Sequence, residues 1–128
     1  MTIPANQPIN DVWVGNDYEK RLRAKNGSVG FDLAGSKIVF VAKKGGSTDI
    51  RKATDGTGPE AGVSLEAHDD DPPGVLSMIL LEFTVTETRA MATGEWRYEI
   101  ERWIDGKQRT LFYGTMTVTA WVNDDVDP

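Results

Sequence analysis

The alternation of apolar and polar positions is clearest over residues 94–122. There Trp96, Tyr98 and Ile100 fall on one side of an extended chain, and Arg97, Glu99 and Glu101 fall on the other. Asp105-Gly106 follows, a dipeptide suited to a two-residue hairpin turn. Beyond it Met116, Val118, Ala120 and Val122 alternate with Thr115, Thr117, Thr119 and Trp121. Period-two spacing built from aromatic and β-branched residues predicts two long strands joined as a hairpin. Trp103 is out of step with Trp96, which predicts a bulge or a change of face near Arg102.

The rest of the chain reads in shorter pieces. Residues 9–14 form a first short strand, closed by the turn cluster Gly15-Asn16-Asp17. Residues 18–25 have helix-forming side chains, but eight residues make a marginal helix. Tyr18, Leu22 and Ala24 also fit one face of a strand, the reading we favour, and Asn26-Gly27 marks a tight turn after it. Residues 36–42 are apolar on both faces from Ile38 onward, as expected of a central, doubly covered strand. Residues 43–47 form a turn, residues 48–52 a modest edge strand, and residues 53–61 a surface loop. Val63, Leu65 and Ala67 alternate with Ser64 and Glu66, and residues 75–85 resume a strand after the loop 68–74. One helical turn or a tight crossover is expected over 87–93. The sum is roughly seven to nine short strands with turn signals between them, which predicts an all-β fold. The single best architecture is an antiparallel two-sheet β-sandwich of the Ig-like kind. We expect an extended N-terminal arm at 1–8, able to dock on a neighbour, one domain at 9–122, and an acidic tail at 123–128.

Size and charge narrow the function. The 128 residues suffice for one domain with its own core. A net charge of −6 disfavours non-specific binding to nucleic acid or to anionic membranes. No cysteine is present, so disulfides and thiolate metal sites are excluded. Residues 1–11 lack the basic and apolar regions of a secretory signal. The longest apolar run, 75–81, is too short to span a bilayer, so we expect no membrane partner.

Catalytic chemistry finds little purchase. A single histidine, His68, stands beside Asp69, Asp70 and Asp71. One imidazole with adjacent carboxylates lacks the spaced second nitrogen of a transition-metal site, and the run does not follow an EF-hand loop. We read it as a solvated loop, with a weak cation site as the alternative. No nucleophile elbow and no phosphate-binding loop occurs. We therefore expect no enzyme activity, no catalytic residue, no metal and no cofactor. Lys43, Lys44, Arg51 and Lys52 form the densest basic patch, which reads as a lysine-blunted sheet edge. Trp96 lies on the apolar register and is assigned to the core. Trp13, Trp103 and Trp121 lie off register and are the candidate interface residues, since exposed tryptophans anchor interfaces.

Several stretches, taken in order, resemble the N-terminal β-sandwich domain of phage baseplate upper proteins and related tail or fibre-attachment proteins. Val14-Gly15-Asn16-Asp17-Tyr18 resembles the opening before a family strand. The run from Phe31-Asp32-Leu33-Ala34-Gly35 to Ile38-Val39-Phe40 is similar to the family step into its central strand, and Thr86-Glu87-Thr88-Arg89-Ala90-Met91 to a family turn. Gly94-Glu95-Trp96-Arg97-Tyr98-Glu99-Ile100 matches a G-x-Y-x-Y-E-I pattern. Asp105-Gly106 with Thr110-Leu111, Gly114 and Val118 matches the spacing that follows. The resemblance covers residues 12–119. It implies a virion structural or assembly protein of the tail, baseplate, neck or fibre attachment, made in the bacterial cytoplasm and located in the virion. Its partners would be other virion proteins and copies of itself. The alternative is a carbohydrate- or receptor-binding β-sandwich of the adhesin type.

Overall fold

In the computed structural model, which describes residues 3–45 and 49–120, the chain is all-β apart from two single turns of helix. Eleven strands occur among these residues: β1 (Ala5–Asn6), β2 (Ile9–Trp13), β3 (Tyr18–Arg23), β4 (Lys25–Asn26), β5 (Val29–Gly30), β6 (Lys37–Lys43), β7 (Ile50–Ala53), β8 (Val63–Glu66), β9 (Met78–Phe83), β10 (Gly94–Ile104) and β11 (Lys107–Thr119). The count exceeds seven to nine because β1, β4 and β5 are two-residue pieces with no periodicity to read. One helical turn, α1 (Val85–Arg89), begins at the N-cap Thr84, whose side chain and that of Glu87 form a reciprocal capping box. The expected strand through Val85 therefore stops at Phe83.

The largest sheet orders its strands β1-β11-β10-β6-β7, with β2 also paired to β11. A second sheet orders β3-β9-β8, and β4 and β5 form a separate small hairpin. Among the described residues all pairings are antiparallel except two: β1 and β2 both run parallel to β11. This departs from the purely antiparallel expectation. Parallel neighbours need a long connection between them, and here that connection is the domain itself. The N-terminal segment lies on its own sheet, with Ile3 and Ala5 buried and Gln7 N–H donating to Tyr113 O at 2.9 Å.

The β10–β11 hairpin forms the middle of the large sheet. Asp105 and Gly106 both adopt positive φ, 51° and 74°, as a two-residue turn of this hand demands. Trp96, Tyr98 and Ile100 are buried while Arg97 and Glu99 are exposed. The irregularity lies two residues earlier than expected and on the other arm. Ile100 pairs with Phe112 but Glu101 pairs with Thr110, so Leu111 is the extra residue. Leu111 and Phe112 are consecutive and both buried, and a bulge is what allows neighbouring side chains to turn inward together. Trp103 thus keeps the face of Arg97 and Glu99, while Arg102 turns toward the core side. In β4–β5 the turn residues are Gly27 and Ser28, one place later than Asn26-Gly27 suggested.

Both sheets contribute to one core. Phe40 of the large sheet meets Phe83 of the small one edge-on at 5.7 Å, Tyr18 stacks on Phe83 at 5.9 Å, and Phe40 stacks on Tyr98 at 5.8 Å. Such pairs contribute roughly 0.5–1.5 kcal/mol each beyond their buried area. The core is tied off by an unexpected residue. Lys52, expected in an exposed basic patch, is only 1% exposed. Its Nζ donates to Ala61 O at 2.6 Å and Glu87 Oε2 at 2.6 Å, and lies 5.4 Å from the Phe83 ring centroid. Three acceptor groups, counting Pro59 O at 3.4 Å, satisfy the ammonium.

Candidate interaction surface

The outward face of the large sheet carries three of the four exposed large hydrophobic residues among those described, Trp13, Trp103 and Tyr113; the fourth, Val29, is on the β4–β5 hairpin. Residues in register on neighbouring strands share a face, so this side carries Glu95, Arg97, Glu99, Glu101 and Trp103 from β10. Opposite them on β11 stand Thr117, Thr115, Tyr113, Thr110 and Gln108, and on β6 Lys43, Val41, Val39 and Lys37. Trp13 of β2 pairs with Thr119 and joins the same face. Exposure is 38% for Trp13, 41% for Trp103 and 41% for Tyr113. These are the three exposed aromatic residues among those described. They run along one face from the hairpin end to the β2 edge, without converging on one point.

Tyr113 also lines a shallow cleft of about 900 Å³, with Val41, Lys43, Arg97, Glu99 and Thr115 among others. Gly114, at φ 150°, also lines it. A Cβ there would meet Asn6 Oδ1 at 3.1 Å and Gln7 O at 3.4 Å. The missing side chain lets Tyr98, its register partner, reach across and donate its hydroxyl to Gln7 O. Burial pushes the Tyr98 phenol up to about 12, so it stays a donor throughout the physiological range. Along the face, burial and the neighbouring Glu99 raise the Glu101 carboxyl above its ordinary value.

The far side of this face is closed by the loop after β7. Lys37–Asp55 at 3.3 Å and Arg51–Glu60 at 2.6 Å hold the loop beside outward-facing residues, and Val39 and Ala53 are buried there. The loop covers β7 at the sheet edge, a standard protection against unwanted strand pairing.

Of the tryptophans expected at an interface, Trp13 and Trp103 lie on this common face, and Trp121 lies outside the described residues. Trp96 is 3% exposed, with Nε1 donating to Ala92 O at 2.9 Å. Tyr113 was missed, although its signal was present: it stands in the same odd-numbered register as Thr115, Thr117 and Thr119.

The His68 loop is more structured than a solvated run of acids. Asp71 folds inward, pairing with Arg23 Nη2 at 2.5 Å and accepting from the buried Ser77 hydroxyl. Those contacts, Ser77 first, hold the Asp71 carboxyl below the ordinary range against the opposing effect of burial. His68 Nδ1 accepts the Asp70 N–H at 3.0 Å, while Asp69 and Asp70 remain exposed. Among the described residues no group of three or more His, Cys, Asp or Glu is placed to hold a metal ion, and no helix is long and apolar enough to cross a membrane. No known protein-family model matches the chain, and no curated protein matches it.

Proposed function

We propose that this chain is a non-catalytic assembly protein of a bacteriophage particle, in its tail, baseplate, neck or fibre attachment. It would dock on other virion proteins and on copies of itself through the outward face of the large sheet. The observation that carries the reading is the placement of Trp13, Tyr113 and Trp103 together on one exposed face. Aromatic residues are enriched at protein interfaces relative to the rest of a protein surface. The phage setting rests on the ordered motifs of residues 12–119. The two-sheet, Ig-like sandwich belongs to the same reading and is supported by the Phe40–Phe83 contact between sheets.

A carbohydrate-binding module is the second reading, favoured by the Tyr113 ring within a cleft that also presents Arg97, Glu99 and Thr115. A ring beside charged and hydroxyl groups can take a sugar face and its hydroxyls at once. Mass spectrometry of purified particles tests the assembly role. Recovery of the chain at stoichiometric levels supports the assembly role, and absence from every particle removes it.

A further inference from the structure

Like charges directly opposite each other on neighbouring strands repel, and sheets ordinarily avoid them. The end of the β10–β11 hairpin breaks this rule, because Arg102 and Arg109 are register partners. Their guanidiniums also share one support. The Cζ atoms lie 4.9 and 5.5 Å from the centroid of the Phe31 ring. Arg102 is half-buried, and its Nε donates to Ser36 Oγ at 2.7 Å, which fixes the plane of its fork. Among the described residues no carboxylate lies within 4.0 Å of either guanidinium. Asp32 feels the field of Arg102, but its Oδ1 accepts the Ala34 and Leu76 N–H groups at 3.0 and 3.1 Å, and these two bonds are the main reason its pKa is lowered.

On a chain of net charge −6, two register-paired arginines with no ion pair among the described residues stand out, one of them held by Ser36. We propose that Arg102, Arg109 and Phe31 form an oxyanion-binding site for a carboxylate or phosphate group. The phenyl ring supports the guanidiniums by cation–π attraction. Their free N–H edges supply the charge-assisted, paired donors that oxyanions fit best. A bound anion replaces the mutual repulsion of the arginines with two attractions. The proposal is independent of the assembly reading, since the site is on the core side of the hairpin end and away from the Tyr113 cleft.

The test follows the arginine Nε–H signals of the ¹⁵N-labelled full chain by NMR during titration with sodium phosphate at constant ionic strength. Saturable shifts of two arginine signals are expected, with affinity in the millimolar range or tighter, about −4 kcal/mol. R109Q should weaken binding roughly tenfold or more, and R109K should weaken it comparably because it keeps the charge and loses the fork. Arg109 is exposed, so the rest of the spectrum reports that these variants remain folded. A parallel titration with hexaglutamate distinguishes the source: tighter binding than phosphate identifies polypeptide carboxylates as the ligand, and weaker binding identifies a small free anion. Shifts that never saturate, or that persist unchanged in R109Q and R109K, overturn the site.

Discussion

Replacing Lys52 by Met tests whether the buried ammonium holds the fold together. Methionine is unbranched and close in length, so it can keep the packing against Phe83 while deleting the charge. The loss is then confined to the polar contacts: Ala61 O and Glu87 Oε2, each at 2.6 Å, and the weaker Pro59 O. Breaking a buried pair by removing one partner costs about 3–5 kcal/mol. Glu87 retains 26% side-chain exposure and can partly rehydrate, so the expected cost is lower, at about 2–4 kcal/mol. For a chain of this size that corresponds to a fall in Tm of roughly 10 °C. Urea unfolding followed by tryptophan fluorescence is the assay, with the m-value unchanged if the native fold survives. E87Q and the double variant complete a cycle whose coupling should be about 1–3 kcal/mol. The sign with pH is also fixed. Burial raises the Glu87 pKa, but the hydrogen bonds from Lys52 and the Thr84 N–H outweigh it, leaving a net lowering. Its contribution is therefore present above the ordinary carboxylate range and is lost as pH falls through the lowered folded value. The gap between wild type and K52M should narrow in acid. A cost below about 0.5 kcal/mol, the scale of a surface substitution, would refute the reasoning.

Other consequences are independent of that one. The Asp71 carboxyl is held low by Ser77 and Arg23, so the unfolded chain binds more protons and stability is lost as pH falls below the ordinary carboxylate range. D71N should be less stable at neutral pH and show a shallower acid limb in a pH series of thermal melts. G114A should cost about 1–3 kcal/mol, from strain at φ 150° and crowding of Asn6, with Y98F costing about 1 kcal/mol through the unpaired Gln7 carbonyl; equal stability of both to wild type by urea unfolding would contradict the β1–β11 geometry. W13A, W103A and Y113A, each truncating a side chain that keeps about two-fifths of its surface in water, should cost clearly less than W96A, which should cost about 3–5 kcal/mol by urea unfolding.

Local periodicity made much of the fold legible. The register of Trp96, Tyr98 and Ile100 and the Asp105-Gly106 turn describe the central hairpin, because both arms bury one face and expose the other. The apolar run at Ile38–Val39–Phe40 likewise marks a strand covered on both sides. The sequence left open what depends on distant partners. The parallel pairing of β1 and β2 with β11 joins opposite ends of the chain, and no local pattern records it. Lys52 reads as surface because its acceptors come from a loop and a helical turn elsewhere in the chain. The capping box Thr84…Glu87 was readable, yet the apolar run before it masked the stop. At the candidate surface, Trp13 and Trp103 were visible as off-register aromatics, and register alone would also have pointed to Tyr113. The shared face of the three residues required the sheet order.

The proposed assembly role requires this face to be covered in the particle. Hydroxyl-radical footprinting of purified particles against the isolated chain measures it directly, residue by residue. Oxidation of Trp13, Trp103 and Tyr113 should fall several-fold on assembly, while buried Trp96 stays unreactive in both states. Unchanged oxidation of all three in the particle would contradict the account.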